Sequence, residues 1–452
     1  MQAIQKIMTQ TAYPYLIVGA GKSGWSVARH LHSMGYAFRI IDTRKLPPFA
    51  KQIGEMLSAD EYQFGELDRA WVLTADTIVV SPGVQSDTQL MQEAKQNGAE
   101  IIGDIEMFAR ITTKPYVAIT GSNGKSTVTT LVRDMLNAQD RNAYAGANLG
   151  EPALDLLVHE DAECYVLELS SFQLETTQSL SAQVAAVLNV SDDHLDRHES
   201  MGAYAQIKRS IFDNAKAKVF WRDDPWLKDI EVDSECVSFG LDQAEFPHYG
   251  VGDHEGRQWL VKGDRALMPA DEIPMVGQHG VLNALAAFAI GEQMGLSFAS
   301  MAETVRGFKG LAHRCEWIGR WNGVDWYNDS KGTNIGATVA AIAGFSSDVV
   351  LIVGGVFKGG DLEPLKDVIR QRVSHVICFG RDANVFSEAL DGIVHLSHAD
   401  TLDACVERAK NCASEGASVL FSPACASFDM FADYRERGTA FVKAVEEIGG
   451  RH

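Results

Sequence analysis

The sequence predicts an α/β chain of three domains, each built on a largely parallel sheet with helices between the strands. Three observations carry this. YLIVGAGKSGWSVARHLHSMGYAFRIIDTR (15–44) reads as strand, glycine turn, amphipathic helix and second strand, the opening of a doubly wound sheet. YVAITGSNGKST (116–127) repeats strand, glycine turn and helix in mid-chain. DVVLIVGG (348–355), HVICFG (375–380) and SVLFSPA (418–424) are apolar runs spaced by helical patterns. At 452 residues the chain exceeds one core, given domains of about 100–200 residues. The expected domains are 1–103, 104–311 and 312–452, joined by short hinges because neither join carries a long Gly/Ser linker.

The remaining elements follow in order. TIVVSPGV (77–84) reads as a further strand of the first domain, with a helix from about Thr88 to Asn97. In the second, CYVLELSS (164–171) and VAAVLNVS (184–191) read as strands. The stretch after Ile211 is more polar, with turns and short alternating runs that give no clear order, and HGVLNALAAFAIGEQM (279–294) is helical.

Bulk properties exclude several classes. Lys+Arg 40 against Asp+Glu 60 gives a net charge of −20, which repels nucleic acid and anionic membranes. No run reaches the ~18 apolar residues of a membrane span, and MQAIQKIMTQTAYPY has no apolar signal core, so no membrane insertion is expected. The seven cysteines are scattered with no CxxC and read as small buried hydrophobes of a reducing, cytoplasmic protein.

TGSNGKST (120–127) is the strongest functional signal. Glycines let backbone N–H groups turn toward an anion, and the helix N-terminus adds partial positive charge. Lys125 suits the β- and γ-phosphates of a nucleotide, and the Ser126 hydroxyl suits Mg²⁺. The match to the general phosphate loop is imperfect, since Ile119 stands where that pattern has its first glycine.

Gly19-x-Gly21-x-x-Gly24 with Asp42 ending the next strand fits a dinucleotide fingerprint, so an NAD-dependent oxidoreductase is one alternative. Any nucleotide diphosphate can use the same cradle. Glu168, ending an apolar strand, sits where a Mg²⁺ ligand belongs or is a solvated strand end. Asp192-Asp193-His194-Leu195-Asp196-Arg197-His198 is dense in potential ligands but has no standard zinc spacing; it reads as a polar catalytic loop or a salt-bridged turn. NDSKGTN (328–334) before a small-residue helix suits phosphate or ribose contacts, or a capped helix start with Thr333 or Asn334 as N-cap. By local pattern alone Lys208, in AYAQIKRSIF, is a surface lysine.

TGSNGKST, NLG (148–150), ELSSFQLE, NVSDDHLDRH, NDSKGTN and SPACASFDMF, in this order over nearly the whole chain, resemble the Mur ligase family, the ATP-dependent enzymes that build the peptide stem of peptidoglycan precursors. The third segment lacks the Asp-Asn-Pro-Arg signature of the diamino-acid-adding relatives and resembles the D-glutamate-adding branch; another Mur-type amino-acid ligase is the nearer alternative. One departure is Gly280, where the family pattern Gly-x-His-Asn-x-x-Asn has its first Asn; Asn283 matches the second.

The resemblance implies an N-terminal Rossmann-like UDP-binding domain, a central phosphate-loop ATPase domain and a C-terminal Rossmann-like domain that receives the amino acid. The implied partners are UDP-N-acetylmuramoyl-L-alanine, D-glutamate and ATP, the cofactors two Mg²⁺ and CO₂ held as a lysine carbamate, and the state a monomer. Gly21, Lys22, Ser23, Asp42, Thr43, Arg44, Ser81, Pro82 and Gly83 would then hold the uridine diphosphate, with Asn148 and His194 on the rest of that substrate. Gly121, Ser122, Asn123, Gly124, Lys125, Ser126, Thr127, Asn283, Arg314 and Asp329 would hold ATP. Lys331, Thr333, Lys358, Ser427 and Tyr434 would receive D-glutamate. Lys125, Glu168, His194 and Lys208 would be catalytic, the metals resting on Ser126, Glu168, His194 and carbamylated Lys208.

Overall fold

The computed structural model describes residues 12–193, 197–198, 200–231 and 233–449. The chain divides into two compact units. The first comprises the chain up to Thr120 with Asp140–Ala186 and Ile207–Lys218; the second comprises Gly121–Gln139, Val187–Gln206 and the chain from Val219.

The first unit opens with β1 (Tyr15–Val18), β2 (Phe38–Asp42), β3 (Tyr62–Phe64), β4 (Thr77–Val80) and β5 (Glu100–Gly103), all parallel in the order β3-β2-β1-β4-β5. The chain winds outward from β1 on one side, then crosses to β4 on the other. That reversal leaves a crevice at the carboxyl ends of β1 and β4, the place where such sheets bind ligands. Leu16, Val18, Ile41, Ile78 and Val80 bury one face with Val72 and Met91 from the helices. The same unit holds β6 (Tyr116–Thr120), β7 (Ala143–Ala147), β8 (Cys164–Glu168) and β9 (Val184–Val187). β6, β7 and β8 are parallel, with β8 between the other two.

In the second unit the stretch that gave no order from sequence becomes β10 (Lys218–Trp221), β11 (Cys236–Phe239), β12 (Tyr249–His254), β13 (Arg257–Lys262) and β14 (Arg265–Pro269). The β12–β13 pair is an antiparallel hairpin turning through Glu255 and Gly256, both at positive φ (57° and 78°), as a two-residue hairpin turn of matching twist requires. The helix Gln278–Gln293 is buried continuously from Ala284 to Gly291. It packs on β11 and on the helix Lys125–Asn137, which explains why its sequence is apolar on all sides.

The last sheet runs β15-β16-β20-β17-β18-β19, from β15 (Glu316–Trp321), β16 (Val324–Asn328), β17 (Val349–Gly354), β18 (Val373–Phe379), β19 (His395–Ala399) and β20 (Ser418–Phe421). Only the edge strand β15 is antiparallel. Both faces are covered, so β17 and β20 are buried throughout, as the unbroken apolar runs foretold. The apolar runs at 77–84, 164–171, 184–191 and 418–424 overstate their strands, which stop at Val80, Glu168, Val187 and Phe421. The residues beyond each strand leave the sheet at its carboxyl edge, and Ser171 already starts a short helix. Among the described residues no helix is long and apolar enough to cross a membrane, and all seven cysteines are free thiols.

Candidate active site

In the second unit, the turn after Thr120 carries Gly121 and Gly124 at φ +156° and +82°, and Gly124 is the N-cap of the helix Lys125–Asn137. The left-handed cap costs a glycine nothing and aims the first N–H groups of the helix into the turn. A second loop braces it. Asn189 Oδ1 accepts from the Asn123 N–H (2.8 Å), its carbonyl accepts from the Ser122 N–H (2.9 Å), and Ser122 Oγ meets Ser191 O and Tyr204 Oη (2.9 and 3.1 Å). The Lys125 ammonium donates to the carbonyls of Gly121 and Ser122 (2.7 and 2.9 Å), and Arg314 donates to the Ser126 hydroxyl.

A cavity of about 250 Å³ opens beside this turn. Its lining joins Asn123, Gly124 and Thr127 to Asn283, Arg314, Asp329 and Lys331, so residues foreseen for ATP and one foreseen for D-glutamate share one space. The apolar side of the cavity, Leu188, Phe239, Met275, Val276 and Phe308, was not foreseen; no motif marks it, because apolar side chains from the end of β11 and three loops make it. A Cβ on Gly280 would stand 2.5 Å from the Met275 carbonyl. The position that departs from the family pattern therefore has no room for a side chain. Burial also pulls His279, beside it, below the usual histidine range.

Two pairs form among the residues foreseen for D-glutamate. Lys331 lies 4.2 Å over the Tyr434 ring, a cation–π contact. Lys358 Nζ reaches Thr333 Oγ1 (3.5 Å) and Asp193 Oδ1 (3.1 Å). Asn334 caps its helix by accepting from the Ala337 N–H (2.7 Å), while its amide donates to Asp193 Oδ2 (3.2 Å). A small second cavity is lined by Asp192, Asp193, Thr333, Asn334 and Lys358. Ser427 is buried, its carbonyl accepting the N–H groups of Met430 and Phe431. Burial pushes the Asp329 carboxyl up to about 7, against the lowering effect of the Ser422 hydroxyl and the Cys315 N–H. Asp193, Asn334 and Ser422 all stood inside motifs, but their partners lie far away in sequence.

In the first unit, Gly21, Lys22 and Ser23 follow β1, Asp42-Thr43-Arg44 ends β2, and Ser81-Pro82-Gly83 follows β4, so all three segments lie at the carboxyl edge of one sheet. Asp42 is fully engaged. Its Oδ2 accepts from the Ala20 N–H (2.7 Å) and the Arg44 guanidinium (2.6 Å), and its Oδ1 from the Arg44 N–H and Nε (2.8 and 2.9 Å). Desolvation alone would raise its carboxyl; these hydrogen bonds outweigh it and hold the group below its ordinary range. The Lys22 ammonium donates to the Gly150 carbonyl (2.5 Å).

Glu168, the last residue of β8, is 2% exposed, and its Oε1 accepts from Asn148 Nδ2 at 2.6 Å. The Asn148 N–H donates to the Glu168 carbonyl (2.9 Å). Lys208 corrects the reading made from local pattern. It is 1% exposed, with Nζ 3.5 Å from Thr120 Oγ1. A lysine is buried only with partners or in an altered form, and the local run AYAQIKRSIF cannot report that. His194 lies outside the described residues.

Three sheets, with a strand–glycine turn–helix beside a cavity, fit the architecture of the ATP-dependent Mur ligases, and comparison with known proteins agrees. Residues 14–103 match the N-terminal domain of Mur ligase MurD-like proteins, 119–291 the Mur ligase middle domain and 313–425 the Mur ligase glutamate ligase domain. The chain belongs to the Mur ligase family. It is 45% identical over 438 residues to a UDP-N-acetylmuramoylalanine–D-glutamate ligase of Pseudomonas aeruginosa, covering 96% of this chain and 98% of that protein. It is 43% identical over 447 residues to the protein of the same name from Nitrosococcus oceani, covering 98% and 99%. The solved MurF ligase of Thermotoga maritima in complex with ADP has the same fold, with a TM-score of 0.60 at 17% identity over 96% of this chain and 95% of that one.

Proposed function

We infer that this chain is an ATP-dependent ligase that joins D-glutamate to UDP-N-acetylmuramoyl-L-alanine through an acyl phosphate, releasing ADP and phosphate, in peptidoglycan precursor synthesis in the cytoplasm. The observation that carries the reading is the 43–45% identity over nearly the full chain to ligases of that name. The cavity that unites the phosphate loop with Asn283, Arg314, Asp329 and Lys331 supports it.

The chemistry asks a carboxylate to attack the γ-phosphate although both are anions. Lys125 and the helix N-terminus behind it meet the phosphates, and Arg314, held at Ser126, adds a second cation to the loop. Ser126 offers a buried hydroxyl and Glu168 a buried carboxylate at a strand end, each a hard oxygen donor of the kind Mg²⁺ prefers. Ser126 and Glu168 would hold one Mg²⁺, with His194 and Lys208 as a carbamate for a second. Mg²⁺ bound there would offset the charge on the transferring phosphoryl group. The D-glutamate carboxylates suit the cations Lys331 and Lys358, with Thr333, Ser427 and Tyr434 completing the pocket. Asn148 meets the sugar–peptide end of the UDP substrate, and the residues at the carboxyl edge of β1, β2 and β4 meet its uridine diphosphate.

The deciding assay is ADP release with UDP-N-acetylmuramoyl-L-alanine, varying D-glutamate, L-glutamate, glycine and L-alanine. D-glutamate alone should drive turnover. Equal rates with L-glutamate or L-alanine would refute the assignment.

A further inference from the structure

The helix Lys22–Ser33 presents Lys22, Ser26 and Arg29 on one stripe, since residues at i, i+4 and i+7 share a face. Opposite that stripe, within the same unit, lies the segment from Asn148 to Leu156. Ser26 Oγ donates to Asp155 Oδ1 (2.7 Å) and Arg29 to Asp155 Oδ2 (2.5 Å), while Lys22 holds the Gly150 carbonyl. Both carboxylate oxygens of Asp155 are therefore spent on one helix. Ser26 is fully buried, so its hydroxyl has no solvent to fall back on. The other end of the segment is strapped to the sheet. Ala147 N–H donates to the Glu151 carbonyl (2.7 Å), and Asn148 is tied to Glu168 by its main chain and its amide.

This geometry connects two places that the proposed function assigns to opposite ends of one substrate. The N-terminal turn of the helix Lys22–Ser33 belongs to the uridine diphosphate, and Asn148 to the sugar–peptide end. We propose that Asp155 is a positioning residue that locks the diphosphate-binding helix to the Asn148 loop, so that both ends of the UDP-sugar-peptide are read by one rigid cradle. The proposal rests on the substrate named above. Its mechanism is preorganisation: with the lock in place, binding one end presents the other at high effective concentration, and without it the loop must be ordered by the substrate. The ion pair by itself is a minor term, because Arg29 is half exposed and such pairs are weak. The buried serine and the shared carboxylate give Asp155 its leverage.

The test uses the full-length enzyme with Asp155→Ala and Arg29→Asp, and the swap Arg29→Asp with Asp155→Arg. Asp155→Ala should raise KM for UDP-N-acetylmuramoyl-L-alanine about tenfold and leave kcat and the KM values for ATP and D-glutamate near wild type. Binding of UDP alone, which needs only the first turn, should be unchanged by calorimetry. The swap should recover most of the KM that Arg29→Asp loses. Equal weakening of UDP and of the full substrate would overturn the proposal, as would an unchanged KM in Asp155→Ala or a swap no better than its single variants. If the wild-type enzyme neither bound nor turned over UDP-N-acetylmuramoyl-L-alanine, the substrate assignment would fail instead.

Discussion

The turn after β1 and the turn after β6 share a plan of strand, glycines and helix, yet different partners satisfy their polar groups. Around Gly19–Gly24 a single carboxylate 22 positions on ties the turn, while Lys22 reaches the Gly150 carbonyl and Ser81 Oγ donates to the Gly19 carbonyl. The Asp42 carboxylate takes the Ala20 N–H and the Arg44 guanidinium, and a Cβ on Gly24 would stand 1.8 Å from the Gly19 carbonyl. Around Gly121–Ser126 the partners come from far along the chain. Asn189 and Ser191 brace the turn, Arg314 reaches Ser126, and Asn283 lies close over Gly124. The first turn is closed by backbone packing at Gly24. The second is assembled by several loops.

Substitutions can break that contrast. The largest effect is expected for Lys125→Ala, which should cut ADP release by a factor of about 10²–10³ or more while leaving UDP-substrate affinity intact. Comparable loss of that affinity by calorimetry would mean that the two turns do not serve two nucleotides.

Lys208→Ala should be nearly inactive, with partial rescue by a short carboxylic acid that restores an oxygen donor. Its burial removes the reading of an exposed surface lysine, and the carbamate follows from the resemblance to the Mur ligases. Electron density ending at Nζ in an active crystal grown with Mg²⁺ would sink the idea.

Asp42→Ala removes a charged hydrogen-bond centre worth ~1.5–3 kcal/mol and should raise the UDP-substrate dissociation constant roughly 10–100-fold while sparing ATP. Because its folded carboxyl is depressed, the stability Asp42 contributes is present above the ordinary aspartate range and is lost as pH falls through the folded value. Gly24→Ala should lower stability by about 1–3 kcal/mol through backbone collision, read as a fall in Tm. A neutral result would show that helix and strand do not need their close approach.

The smallest effect concerns Asp104, at the start of the helix Asp104–Ile111. Its carboxyl is fully buried and is pushed up to about 6 by desolvation, with the Ser23 hydroxyl acting the other way. The native state therefore holds this proton more tightly than the unfolded chain. The cost is absent below about pH 4, grows to pH 6 and is full above it, at most about 3 kcal/mol for a two-unit shift. Asp104→Asn should accordingly be more stable than wild type at pH 8 and lose most of that advantage by pH 4. Melting curves at the two pH values decide this, and a variant no more stable at pH 8 would contradict the sign.

Both turns, a helix cap at Thr333 or Asn334, of which the structure selects Asn334, an apolar strand ending at Glu168 and the helical run from His279 were legible in the sequence, because each is a local pattern of glycine, capping residue or apolar period. The hairpins between Lys218 and Pro269 were not. Short, half-exposed strands carry a weak period that only pairing with neighbours makes decisive. Lys208 fell on the wrong side, since burial is a property of what packs over a residue.

The sequence by itself determined the fold class, the two glycine turns between strand and helix and the order of the family motifs, all written within runs of ten or so residues whose backbone preferences act at short range. Tertiary structure alone decided that Arg314 meets Ser126 across 188 positions, that Asn334 meets Asp193 across 141, and that Asp155 grips a helix more than a hundred residues earlier. Those contacts join groups far apart in the chain, and only the packed core that brings the segments together offsets the chain entropy of holding them there.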